Sequence, residues 1–109
     1  MFARHVTIKL KANSASEFTR IIENEILPVL SKQKGFRDEI TFVAPERSEA
    51  IANSLWDTKE DAEAYSRTAY PEVLKALTKV VEVSPKVETF EVANSTFHTL
   101  AAKAATQVR

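Results

Sequence analysis

The chain contains no cysteine. That excludes disulfides, thiolate metal sites, iron–sulfur clusters and a cysteine nucleophile. Glycine is almost as scarce, with Gly35 alone. Loops that cradle phosphate need several glycines so that backbone N–H groups can approach the anion, so nucleotide binding through such a loop is disfavoured. An excess of either charge is also missing, because 15 Lys plus Arg stand against 15 Asp plus Glu. No basic run marks a nucleic-acid groove or an anionic membrane surface. No apolar stretch approaches the roughly 18 residues of a spanning helix. The stretch from Met1 to Leu10 interleaves Arg4, His5 and Lys9 with its apolar positions, whereas a secretory signal keeps an unbroken apolar core. The expectation is a cytoplasmic protein with neither nucleic acid nor membrane as partner.

What is present is a regular alternation of patterns. Phe2, Val6, Ile8 and Leu10 alternate with Ala3, His5, Thr7 and Lys9, a period of two that predicts a first strand. Arg4 is the one break on its apolar side. Ser14 and Glu17 match a capping box. Phe18, Ile21, Ile22, Ile26, Val29 and Leu30 follow at helical spacing, so an amphipathic helix is predicted to end near Lys34, with Gly35 as a left-handed stop. Pro28 inside it removes a backbone donor, which predicts a kink or a break. Residues 36–43 and 49–56 read as two strands of a hairpin around Pro45. Thr58 and Asp61 cap a second helix that Pro71 interrupts; it resumes there and runs through Val81. Residues 87–93 form the last strand.

The order β-α-β-β-α-β predicts an α+β, ferredoxin-like fold with an antiparallel sheet. The length, 109 residues, suits one domain, placed at 1–95. Residues 96–109 form a C-terminal tail that docks on a partner or frays. A chain of this size buries roughly two-thirds of its unfolded surface. Two helices then cover one face of the sheet, and the other should be polar if it meets water. It is not: Ile51 and Leu55 point one way, and Ala50, Ala52 and Trp56 the other. Such a patch usually marks an interface, so a homodimer is expected.

The strand from Phe2 to Leu10, the pair Gly35-Phe36, and the junction Ser54-Leu55-Trp56-Asp57 leading into a helix through Tyr65 resemble the antibiotic biosynthesis monooxygenase (ABM) family. The resemblance covers roughly residues 2–93. It implies a dimeric α+β barrel, two sheets packed across a two-fold axis, and a cavity in each subunit between sheet and helices. Some members of that family oxygenate phenols without metal or flavin, and others degrade haem. Haem-degrading members carry an axial histidine on the second helix, but Thr58 to Val81 contain none. Tyrosine, the other chemical option, is present as Tyr65 and Tyr70. No cofactor and no metal is expected, since the two histidines have no partner at ligand spacing.

The candidate catalytic residues are Trp56, His5, Tyr65 and Asn53. In the family reading Trp56 lines the cavity beside a polar side chain such as asparagine. Asn53 is near, but three residues apart on a strand means opposite faces, and packing alone would also account for a tryptophan. His5 could carry a proton, since a histidine side chain in general titrates near neutral pH, or it could be a hydrogen-bonded residue at the dimer face. Tyr65 shares a helix face with Ala62 and Ala69 and should point inward, whereas Arg67 should be solvated. Two functions follow. One is a cofactor-independent monooxygenase of a small phenolic or quinol-type substrate. The other is a non-catalytic dimeric module that binds a small hydrophobic or aromatic ligand.

Overall fold

A computed structural model describes residues 1–97. The order is β1 (Phe2–Lys9), α1 (Ala15–Ile21), a π-helical segment (Ile22–Ile26), α2 (Leu27–Ser31), β2 (Phe36–Ala44), β3 (Glu49–Trp56), α3 (Lys59–Thr68), α4 (Tyr70–Leu77) and β4 (Lys86–Glu91). The strands form one antiparallel sheet in the order β2-β3-β1-β4. This is the α+β ferredoxin-like arrangement. His98 and Leu100, with the rest of the tail, lie outside the described residues.

Proline placement shapes both helical layers. Pro28 has no N–H to give to the carbonyl of Asn24, and its ring crowds that carbonyl. The helix does not break there. It widens into the π segment immediately before Pro28 and then continues as α2, which is a recognised way to absorb a mid-helix disturbance. Pro71 falls in the first turn of α4, where its missing N–H costs nothing. α4 ends at Leu77, earlier than the periodicity suggests. Val81 instead bridges to Leu10 beside β1, so tertiary pairing overrides the helical pattern. α2 likewise stops at Ser31, before Lys34.

The two predicted caps behave differently. The Asp61 N–H donates to Thr58 Oγ1 at 3.0 Å, so α3 starts on a true side-chain cap. Ser14 makes no such bond. Its hydroxyl donates to the Ala12 carbonyl at 3.4 Å, so the capping box is not formed.

Gly35 and the β3–α3 junction, far apart in sequence, meet in space. Gly35 has φ +81°, a region costly to residues with a Cβ. A Cβ there would also collide with the Asp61 side chain. The Asp57 N–H donates to the Gly35 carbonyl at 2.8 Å, Arg37 pairs with Asp57, and Phe36 meets Trp56 edge-on at 5.6 Å. This knot ties the start of β2 to the end of β3.

The core lies between the sheet and the helices. Its largest fully buried side chains are Trp56, Phe18, Ile8, Leu10 and Val80. The opposite sheet face is open. Ile40, Phe42 and Phe90 are 51%, 55% and 52% exposed, and Ile51 and Leu55 are half-buried.

Candidate functional site

Period-two geometry puts Arg4 on the helix-covered face of β1, between Phe2 and Val6. It is only 3% exposed. Its guanidinium lies 4.3 Å from the centre of the Tyr70 ring and 5.0 Å from that of Tyr65. No carboxylate among the described residues forms an ion pair with it. Its Nε makes no hydrogen bond, and the buried Tyr70 hydroxyl meets the Arg4 guanidinium without a well-formed hydrogen bond. Desolvated cation–π contacts contribute about 2 kcal/mol, against a burial cost of several kcal/mol per ion. Two such contacts offset only part of the desolvation of this cation within the described residues.

Arg4, Glu39, Tyr65 and Tyr70 line a cavity of about 40 Å³, together with Ile22 and Ile26 of the π segment. Glu39 comes from β2, opposite Ser54, and accepts a hydrogen bond from the Thr41 hydroxyl. Burial pushes the Glu39 carboxyl up, and the Thr41 bond partly offsets this. Burial pushes the Tyr65 phenol up to about 12, with the Arg4 charge opposing the shift and Tyr70 and Glu39 adding to it. Burial also raises Tyr70, against the Arg4 charge and a side-chain hydrogen-bonding interaction with Arg4.

These shifts make a prediction for alkaline stability. Unfolded Tyr65 ionises near 10, but the folded phenol holds its proton to about 12. Between those values the unfolded chain has fewer bound protons than the folded one. Stability therefore falls as pH rises through that window, by on the order of 2 kcal/mol. Urea midpoints measured across it should decline, and Tyr65→Phe should flatten the decline, leaving the smaller part due to Tyr70. An equal slope in the variant would contradict the buried phenol.

The four residues marked from the sequence fall into two groups on opposite faces of the sheet. Tyr65 lines the cavity. Trp56, fully buried, is not among the lining residues. It stacks on Tyr65 at 5.0 Å, and its Nε1–H donates to Ser54 Oγ at 2.9 Å. His5 and Asn53 lie across the sheet on the open face, as register partners. The His5 Nδ1–H donates to Asn53 Oδ1 at 2.7 Å, and the His5 ring meets Phe90 edge-on at 6.2 Å. Arg67 is exposed, as expected. Among the described residues no group of three or more His, Asp or Glu side chains is placed to hold a metal ion, and no helix is long and apolar enough to cross a membrane.

Sequence reasoning singled out neither Arg4 nor Glu39 as functional. The signal for Arg4 was present: it is the only charge on the inward side of β1, and an inward charge needs a reason. Glu39 gave none, since its neighbours Asp38 and Arg37 make the segment look like ordinary polar surface.

A comparison with family models finds no match, and neither does one with curated proteins. Solved structures do match. A protein from Deinococcus radiodurans, named provisionally as an antibiotic biosynthesis monooxygenase, superposes with TM-score 0.70 at 14% identity, over 87% of this chain and 95% of that one. The chain has the fold of the antibiotic biosynthesis monooxygenases. A monooxygenase from Streptomyces coelicolor, solved with the ligand nanaomycin D, shares this ABM fold at TM-score 0.73 and 11% identity, over 90% and 92% of the two chains. A cofactor-independent oxygenase from Streptomyces nogalater matches at 0.69 and 11% identity, over 87% and 95%. A protein of unknown function from Nitrosomonas europaea also matches, with TM-score 0.74 at 14% identity, over 90% of this chain and 94% of that one.

Proposed function

We propose that this protein is a cofactor-independent monooxygenase of a small phenolic or quinol-type substrate, and that it works as a homodimer. The single observation behind the chemistry is a buried guanidinium packed against two tyrosine rings in a cavity. A cation in a dry site favours the anion of a phenol over its neutral form. An electron-rich phenolate can pass one electron to dioxygen. Recombination at ring carbon then gives a hydroperoxide, and loss of water leaves a quinone, so one dioxygen is consumed per phenol and one of its oxygen atoms leaves as water.

In this reading Tyr65 contacts the substrate and Trp56 positions Tyr65 from behind. His5 and Asn53 sit in the interface between subunits. The cavity, about 40 Å³, takes the anionic end of a substrate, whereas pockets for whole ligands run to about 300 Å³ or more. The ring enters by displacing Ile22 and Ile26. The π segment that carries them is the kind of helical irregularity often found at functional sites.

The test is oxygen uptake with a panel of quinols, together with transfer of label from isotopic dioxygen into the quinone. Tyr65→Leu should lower the rate at least tenfold at unchanged secondary structure. Rates equal to those without protein would end the oxygenase reading. Saturable binding of a quinol with no turnover would instead select the ligand-binding module.

A further inference from the structure

We propose that Arg4 and Tyr70 form a two-donor site for an oxyanion, which seats the charged end of a small aromatic ligand in the cavity. The inference rests on the cavity being the ligand site, but not on oxygenation. Two buried side-chain atoms among the described residues make no well-formed hydrogen bond, Arg4 Nε and the Tyr70 hydroxyl. Both belong to residues that line the same cavity. Guanidinium can only donate, and a phenol beside a cation is best used as a donor. The Tyr70 hydroxyl lies against Arg4, and two neighbouring donors at one cavity call for an acceptor.

Charge narrows the choice further. A water molecule would satisfy the hydrogen bonds but leave the Arg4 cation without a counter-ion. Glu39 does not fill that place. It makes no ion pair with Arg4, it accepts from Thr41, and burial raises its pKa. Ser54 is already the acceptor for Trp56. The volume, about 40 Å³, is on the scale of two or three waters, which suits a carboxylate or a phenolate oxygen. Tyr65 and Tyr70, whose rings lie 5.8 Å apart, flank the entering group.

Trp56 is the sole tryptophan and stacks on Tyr65, so its fluorescence reports events at the cavity. The full chain is titrated with benzoate and its neutral isostere benzamide, and with 4-cyanophenol above and below its ionisation, by fluorescence and by calorimetry. At least one anion should bind tenfold or more tighter than its neutral counterpart. Tighter benzoate assigns a carboxylate, and tighter 4-cyanophenolate a phenolate. Arg4→Met should reduce the anion to the neutral level. Tyr70→Phe should weaken it about tenfold, the size of one hydrogen bond to a charged group. Arg4→Lys keeps the charge without the Nε donor and should fall between.

Equal binding of anion and neutral isostere, or no binding of either anion at millimolar concentration, overturns the site. So does undiminished anion binding in Arg4→Met or, if that variant does not fold, in Tyr70→Phe. The two readings fail separately. Anion binding without oxygen uptake leaves this site standing and ends the oxygenase. Quinol oxidation with no preference for anions does the reverse.

Discussion

Trp56→Ala is expected to destabilise the fold by about 3–5 kcal/mol, the range for a large aromatic truncated in a tight core. Trp56 has no exposed surface. Its ring is held on one side by Tyr65 at 5.0 Å and on another by Phe36 at 5.6 Å. Alanine would leave a void between β3 and α3 and would strip the Ser54 hydroxyl, itself buried, of its partner. A small domain is stable by about 5–15 kcal/mol in total, so the loss is a large share of the whole. Trp56→Phe keeps most ring contacts, loses the hydrogen bond, and should cost about 1–2 kcal/mol. Urea unfolding measures both. A loss under 1 kcal/mol for alanine would show that Trp56 does not hold α3 to the sheet.

Ile40→Asp combined with Phe90→Asp should turn the proposed dimer into a monomer. Both side chains are half-exposed on the open face, next to Phe42 on β2 and His5 on β1. Complete burial of one such side chain contributes about 1.5–3 kcal/mol. Half of that remains available at each position, and a two-fold interface uses every position twice. Loss of these terms, with new carboxylates facing an apolar surface, should weaken self-association at least a hundredfold. Sedimentation equilibrium should then give half the wild-type mass, with unchanged far-ultraviolet circular dichroism, because neither side chain belongs to the helix-covered core. A wild-type chain that sediments as a monomer at micromolar concentration would remove the homodimer.

Periodicity carried much of the fold. β3 runs over the residues read as a strand, Glu49 to Trp56. Thr58 and Pro71 begin helices because a cap and a fixed φ act within one turn. The misreadings come from competition over longer range. Val80 and Val81 match the helical period of α4, yet Val81 pairs with Leu10, and local spacing cannot reveal a partner seventy residues away. Ser14 matches the capping pattern, but its hydroxyl finds the Ala12 carbonyl instead.

The candidate site was legible in its residue types and hidden in its grouping. The sequence shows that Tyr65 faces inward, that Arg4 interrupts an apolar row and that His5 lies on the other side. Which of them meet is set by strand register and by how α3 and α4 lie over the sheet. Register carries His5 to Asn53 and Glu39 to Ser54, and packing sets Tyr65 and Tyr70 over Arg4.

By itself, then, the order of residues determined the elements and their buried sides, since those follow from contacts within a few positions. The tertiary structure alone decided that an arginine and two tyrosines from distant segments share one cavity, since burial of a charge depends on everything packed around it.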